Sequence, residues 1–430
     1  MTRRLSLRAL TPAIALAALT LTSVVAAPAT AHHSRPADPA VISEWNAIAV
    51  TTLLGDTSKA AIEAYLYLGF MHGAVYNAVV GIEGGYAPYR FRAHAPRGAS
   101  SQAAAVAAAH KVLVTYSPYA TATLDAAYAA SLAEIPDGRA KSRGVRFGTR
   151  AADTMIAQRV GDGRNAPVLF TQPPGPGVWR PTAPGFLPFS APWLGSVTPL
   201  LVRSGAQFGD PGPPPALTSR RYTRDFNEVK RLGSATSTAR TPEQTATARF
   251  FSGNPLIQFE TALRDQATLR QLDIVESARM FAAVSMSLAD ACISIWYAKY
   301  HYGLWRPVTA INLADTDGNP RTDVDPDWVS LLINPPYPDY VSGYNGVMGA
   351  FTRALQETFG TRHVRITLIS TADPDHPRFY DSGRVLRQEV IDARVWAGIH
   401  FRFADTVGAR MGQQVARWGL EHHFPPVTRR

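Results

Sequence analysis

From about residue 41 to residue 161, bulky apolar residues recur at intervals of three and four along an Ala-rich background. In residues 60–79 the series Ile62, Tyr65, Leu66, Leu68, Phe70, Met71, Val75, Tyr76 and Val79 keeps this spacing, and residues 101–116 and 120–133 repeat it. The spacing predicts amphipathic helices. Gly84-Gly85 and Pro136-Asp137-Gly138 mark turns between them. Between residues 167 and 215 the pattern stops: Pro173-Pro174-Gly175-Pro176-Gly177 and Pro211-Gly212-Pro213-Pro214-Pro215 bracket isolated aromatics such as Trp179 and Trp193. Proline removes backbone donors, so helix cannot persist there. Few charges and many bulky apolar residues predict an ordered loop wrapped over the surface, not a flexible linker.

Helical spacing resumes at residues 219–233. Thr241-Pro242-Glu243-Gln244 has the form of a helix start, with Thr as cap, Pro first and Gln third. A further helix is predicted over residues 261–272. Residues 277–300 are apolar on nearly every face, which predicts a helix buried at the centre of a bundle. Helices are also expected over residues 346–359, 384–398 and 405–422. No segment alternates convincingly as a strand does, and no repeat of fixed period is present. The expected fold class is all-α: a large helical bundle with a Pro-rich irregular middle. Its expected divisions are an N-terminal helical region, 32–270, containing the Pro-rich loop 167–215, and a helical domain, 271–430.

The first residues read as a targeting segment. Arg3, Arg4 and Arg8 precede an apolar stretch, 9–25, and Ala29-Thr30-Ala31 fits a small-x-small cleavage rule, so a signal peptide over residues 1–31 is expected. Thr2-Arg3-Arg4-Leu5-Ser6-Leu7 partly resembles a twin-arginine signal, with Ser6 where a bulky apolar residue belongs, which leaves the Sec and Tat routes both open. The mature protein is expected to be secreted or held in the cell envelope. Beyond residue 31 no run reaches the roughly 18 to 20 charge-free apolar residues of a membrane span, so no transmembrane segment is expected.

Composition narrows the classes further. The 430 residues can bury a sizeable core, and the single cysteine, Cys292, excludes disulfide scaffolds, Cys-rich zinc modules and iron–sulfur clusters. Basic residues exceed acidic ones, 43 to 33, but only five are lysines and no block of five or six cations occurs, which argues against a nucleic-acid partner. HExxH, GxSxG, the P-loop lysine motif and GxGxxG after a strand are all absent from the sequence. Asp315-Thr316-Asp317-Gly318-Asn319 approaches a calcium loop but has Pro326 at the twelfth position, and is read as a solvated acidic turn. The pairs His32-His33 and His422-His423 are read as tails.

Three segments combine cations, small residues and a histidine. The first ends a very apolar helix with Lys299, followed by Arg306 and Pro307; Gly303 and Pro307 predict that the helix is ending. The second is Pro335-Pro336-Tyr337-Pro338-Asp339-Tyr340-Val341-Ser342-Gly343-Tyr344-Asn345-Gly346, a turn leading into a helix, able to present N–H groups and a hydroxyl to an anion. The third runs from Arg394 to His400; residues six apart lie about 120° apart on an ideal helix, so their convergence needs a break, which Gly398 offers. Arginine forks, a lysine, a Ser-Gly turn and an imidazole together suit a tetrahedral oxyanion.

Taken in order, Lys299-x6-Arg306-Pro307, Ser342-Gly343 and Arg394-x5-His400 resemble the signature of the vanadium-dependent haloperoxidases and the related type 2 phosphatidic acid phosphatase superfamily. Val75-Tyr76-Asn77-Ala78, Leu124-Asp125-Ala126-Ala127-Tyr128 and Phe226-Asn227-Glu228-Val229-Lys230 resemble exported bacterial members, so the likeness extends over nearly all of the mature chain. The resemblance implies a helical bundle holding vanadate, with phosphate able to take the same place. It implies His400 as the vanadium ligand, or as the nucleophile of an acid phosphatase, and Lys299, Arg306, Arg394, Ser342 and the Gly343 N–H as holders of the oxygens. It also implies hydrogen peroxide, halide and a small organic substrate as partners.

Three departures accompany it. Tyr344 stands where the family has its acid–base histidine, and a phenol with a reference pKa near 10 is a poor base near neutrality. Tyr344 as proton donor, substitution by His301, His363 or His376, and oxyanion binding without turnover all remain open on the sequence. Val341 and Ala393 replace Pro and Ser beside the anion-binding segments. Asp405 follows His400 at the fifth position instead of the fourth, which turns it about 140° away on a helix.

Overall fold

The computed structural model describes residues 37–427. The expected signal peptide (1–31), His32-His33 and the terminal Arg429-Arg430 lie outside the described residues.

Helix dominates from the start. The first third folds as α1 (Ala40–Gly55), α2 (Ala64–Glu83), α3 (Ser101–Tyr116), α4 (Thr121–Ala133) and α5 (Arg139–Gln158), the Ala-rich faces packing closely. The Pro-rich stretch holds the short α6 (Ala206–Gly209), and after it come α7 (Arg220–Gly233), α8 (Pro242–Phe250) and α9 (Pro255–Leu269). Thr241 caps α8 as its sequence predicts: its hydroxyl accepts from Gln244 N while Gln244 Oε1 accepts from Thr241 N.

The C-terminal part holds α10 (Ile274–Tyr302), α11 (Pro307–Asn312), α12 (Gly343–Phe359), α13 (Gly383–Trp396) and α14 (Arg402–His422). α10 is the axis of the core, packed against α2, α12 and α14. It is long and apolar enough to cross a membrane, which no segment was expected to be, but 94% of its most apolar window is buried inside the bundle and Asp290 interrupts it. Apolar residues on all its faces are there to meet helices on all sides.

α12 and α14 cross at very short range. A Cβ on Gly412 would fall 1.8 Å from the Gly346 carbonyl oxygen, and one on Gly349 would fall 2.2 Å from that of Ala409. Glycine at these positions lets the two backbones touch. This contact fixes the start of α12 against the start of α14, where Ser342 N donates to Ala404 O at 3.1 Å.

The Pro-rich stretch is ordered by what it buries. Trp179, Phe189, Trp193, Leu194 and Val197 join the core, Trp179 N donates to Gly303 O, and Ser190 N donates to Pro336 O. The described residues belong to one compact unit.

Three expectations are corrected. A small antiparallel hairpin, β1 (Ile366–Ser370) with β2 (Asp373–Tyr380), appears where no strand was foreseen. β2 carries Pro374 and Pro377, which hide it from a propensity reading but are tolerated in a two-stranded edge. His422 and His423 form no tail: His422 ends α14, and His423 Nε2 lies 3.0 Å from Leu201 O. The acidic turn is solvated only in part: Asp315, Thr316 and Gly318 are exposed, but Asp317 and Asn319 are buried and Asp317 accepts from Asn319 N and Thr322 Oγ1.

Candidate oxyanion site

α10 brings Lys299 into the core and ends at once. Gly303, at φ +55°, closes the helix and donates its N–H to Lys299 O at 3.0 Å. The chain then turns extended through Arg306, the residue before α11. Lys299 Nζ donates to Pro338 O at 2.5 Å and to Asp339 O at 3.1 Å, so it pins the turn that leads into α12. Arg306 Nε donates to Tyr337 O and its Nη1 to Ile399 O, both at 2.8 Å. The Tyr337 ring lies under both cations, 4.8 Å from Lys299 Nζ and 4.9 Å from the Arg306 guanidinium carbon.

Arg394 and His400 converge as the break at Gly398 predicts. α13 ends at Trp396, and Gly398 adopts φ +78°, which turns the chain back toward the cluster. Arg394 Nη1 donates to Phe251 O at 2.8 Å. His400 Nε2 lies 3.5 Å from Arg306 Nη1. Lys299, Arg306, Ser342, Gly343, Arg394 and His400 are all buried, and Arg306, Lys299 and Arg394 lie near enough to act on the His400 imidazole. A Cβ on Gly343 would sit 4.0 Å from Lys299 Cε and from the Tyr337 hydroxyl, which places the start of α12 directly beside the lysine.

The partner of His400 is a residue to which the sequence assigns no role. Asp339 Oδ1 accepts from His400 Nδ1 at 2.5 Å across 61 residues of chain. With Nδ1 carrying the proton, Nε2 keeps its lone pair and faces the cations. Burial, then Arg306, Lys299 and Arg394, hold the imidazole well below its usual pKa, so it is neutral and free to ligate. Burial raises the Asp339 carboxyl to about 7 while Arg306 and Lys299 pull it down. Asp405 turns elsewhere, as its spacing implies: its Oδ1 accepts from Asn345 Nδ2 at 2.7 Å, and the same amide nitrogen lies 3.5 Å from Ser342 Oγ. It therefore steadies the start of α12 through Asn345 and makes no bond to His400.

Tyr344 is buried beside the cluster, with the Arg394 guanidinium 5.0 Å above its ring. Its hydroxyl donates to Gln258 Oε1, and burial raises its pKa. His301, His363 and His376 are exposed; His301 stacks on Tyr297, and His376 Nδ1 pairs with Asp373 at 2.6 Å. None of the three bonds a member of the cluster.

The cluster has the form of a receptor short of its anion. Burial comes first among the causes that lower the Lys299, Arg306 and Arg394 pKa values, and burial also lifts Asp405 well above the carboxylate range. Three basic side chains, Lys299, Arg306 and Arg394, outnumber the two carboxyl groups, Asp339 and Asp405, in a buried region where an unmatched ion costs several kcal/mol. Arg306 Nη2 and Arg394 Nε are buried with no hydrogen-bond partner among the described residues. α12 adds an open N-terminus, because Ser342 does not cap it. Two orphaned donors, a buried ammonium and free helix N–H groups fit a tetrahedral oxyanion such as vanadate or phosphate.

Comparison with known proteins agrees with this geometry. A family profile described as the VCPO second helical-bundle domain matches residues 279–427, a span containing all of the cluster's polar side chains. The vanadium chloroperoxidase of Curvularia inaequalis is 25% identical over 295 residues, 52% of this chain and 47% of that protein. The match thus spans about half the length of that relative. A bacterial vanadium-dependent iodoperoxidase superposes with a TM-score of 0.78 at 23% identity, covering 91% of this chain and 98% of the other. A holo-type bacterial vanadium-dependent chloroperoxidase gives 0.68 at 17% identity, covering 90% and 97%. At these identities the structural matches establish a shared all-α fold.

Proposed function

We propose that the protein binds vanadate at His400 and oxidises halide with hydrogen peroxide, the product halogenating a small organic substrate; the match of residues 279–427 to the VCPO second helical-bundle domain supports this reading. The observation that carries the reading is the His400–Asp339 pair: Asp339 lies 2.5 Å from Nδ1, which leaves Nε2 turned toward Arg306 Nη1 in a group of buried basic side chains with two unmatched donors.

In this reading His400 Nε2 supplies the ligand bond. Asp339 holds the tautomer, a kind of support whose loss typically costs 10- to 100-fold in metal affinity or activity. Lys299, Arg306, Arg394, the Ser342 hydroxyl and the Gly343 N–H hold the oxygens and offset negative charge that grows in the transition state. Bound vanadate would supply the Lewis acidity that activates peroxide toward halide. Tyr344 keeps its proton near neutrality and gives it to Gln258, so its part is to lay a ring against Arg394 and to close the dry wall of the site.

The test follows halogenation of a phenol dye with orthovanadate, peroxide and bromide or iodide, beside hydrolysis of p-nitrophenyl phosphate. Vanadate-dependent dye turnover that falls at least about 10³-fold in His400→Ala supports the proposal. Phosphate release inhibited by vanadate would instead make the protein an acid phosphatase working through His400. Vanadate binding without either turnover would leave an oxyanion-binding protein. Export is part of the same proposal, resting on the leader read in residues 1–31; N-terminal sequencing of secreted protein starting near residue 32 would support it, and retention of the intact leader in the cytoplasm would refute it.

A further inference from the structure

A second charged site lies where α7 meets α14. A cavity of about 650 Å³ opens between them, lined by Arg220, Arg221, Arg224 and Arg402, with the buried Phe403 as part of its wall. None of the oxyanion-site residues lines it. Phe401, which follows His400 in the chain, stacks on Phe403 at 5.2 Å, and Tyr340, which follows Asp339, lies 6.1 Å from Phe403.

Part of the cavity wall is rigid. Glu228 accepts from Arg402 Nε and Nη2, both at 2.8 Å, and Asp392 accepts from its Nη1 at 2.6 Å. Asp225, whose side chain is fully buried, accepts from Arg224 Nε and from Phe403 N, each at 2.9 Å, and so ties α7 to α14. Arg220 and Arg221 are different: both are exposed, and neither side chain has a hydrogen bond or ion pair among the described residues.

This arrangement is locally unfavourable for the helix that carries it. The first turns of α7 hold three arginines, and its first turn has no acid, although a helix N-terminus favours anions. Arg220 and Arg224 stand four apart, a spacing at which like charges repel. Of the three, only Arg224 forms an ion pair, with Asp225. A broken local rule without a packing gain is the mark of a functional position. The cavity is of the size that takes an extended small molecule, not a single ion, and planar guanidinium forks bind paired oxygens of phosphate or sulfate.

We propose that the cavity between α7 and α14 binds a polyanion built of linked phosphate or sulfate groups, with Arg220 and Arg221 as its closing contacts. The proposal does not depend on what the inner cluster binds.

Isothermal titration of the full chain, in about 0.1 M salt and with vanadate present to fill the inner site, tests it. Inorganic tripolyphosphate and sucrose octasulfate serve as probes and tell the phosphate source from the sulfate source. Arg220→Glu/Arg221→Glu is expected to weaken the preferred probe about 100-fold, roughly tenfold for each charge-assisted hydrogen bond removed. Arg146→Glu/Arg150→Glu, an exposed pair on α5 with the same change in net charge, should change it less than threefold. Removing repelling cations from the start of α7 should not lower the melting temperature, and the single variants Arg220→Gln and Arg221→Gln should each show about a tenfold loss. Absence of binding by either probe, equal weakening by both charge-reversed pairs, or undiminished binding in the Arg220/Arg221 variants would overturn the proposal.

Discussion

Asp290 and Lys299 lie on the same helix, α10, and both are completely buried, yet the chain treats them in opposite ways. Asp290 accepts the N–H groups of Leu200, Leu201 and Val202 at 2.7, 2.7 and 2.8 Å, which fixes the backbone within the Pro-rich stretch. Burial still lifts its carboxyl to about 6, but the three donors hold it in place. Lys299 spends its bonds on two carbonyls, and the cations it joins leave Arg306 Nη2 and Arg394 Nε unmet. A buried charge that serves the fold is saturated by the fold. One that serves a ligand is left short: among the described residues Arg306 Nη2 and Arg394 Nε find no partner, and neither do Asp339 Oδ2 and Asp405 Oδ2 in the same cluster.

The comparison can be broken first at Asp290. Asp290→Ala leaves three buried N–H groups without an acceptor, each worth about 1 to 3 kcal/mol, so urea unfolding should show a loss of roughly 3 kcal/mol or more. Oxyanion affinity of the folded protein should stay within about twofold. A large change in affinity with stability intact would reverse the assignment of the two sites.

Asp339→Asn attacks the other side. Removing its negative charge makes the cluster more cationic, which by itself would tighten anion binding. If the carboxylate acts by fixing the His400 tautomer, vanadate affinity measured by titration calorimetry should instead fall about 10- to 100-fold. Tighter binding would show that Asp339 is only a counter-ion.

A third buried group sharpens the structural side. Asn46 Nδ2 lies 3.0 Å from His72 Nε2 and donates to Glu260 Oε2 at 2.7 Å, while Arg264 Nη1 donates to Asn46 Oδ1 at 2.6 Å. Burial pushes His72 down to about 3 and Glu260 up to about 7. As pH falls below about 6.5 the unfolded chain takes up a proton that folded His72 refuses, so stability is lost from there down to pH 3. Glu260 acts oppositely, its contribution being present at low pH and lost as pH rises through about 7. Between pH 7 and 5 the two offset each other. Relative to the native chain, His72→Gln should therefore gain about 2 kcal/mol on going from pH 7 to pH 5 in denaturant titrations; no relative change would mean that His72 is not held neutral.

What the sequence discloses follows the range of each interaction. Lys299, Arg306, Ser342, Gly343, Arg394 and His400 stand out by their short spacings, and Gly303 and Gly398 mark the breaks that aim them, because these features are local. Asp339 lies inside the turn that precedes α12, yet nothing nearby gives it a role, since its bond to His400 spans 61 residues. Gln258 and Phe251, which hold the Tyr344 hydroxyl and Arg394, are 86 and 143 residues from their partners and carry no local signal. The central helix is legible from its unbroken apolarity, whereas the β1–β2 hairpin is hidden by prolines that only a free edge tolerates. A lone aspartate between Pro338 and Tyr340, in a turn otherwise built for anions, is the one clue to the missing carboxylate.

The central claim is that the buried cations are completed by a tetrahedral oxyanion, and orthovanadate in denaturant unfolding tests it most directly. At one hundred times its dissociation constant the anion should add about 2.7 kcal/mol of stability to the native chain, and Arg394→Ala, which removes an orphaned donor, should lose most of that gain. Unfolding curves unmoved by vanadate, phosphate and sulfate alike would contradict the account.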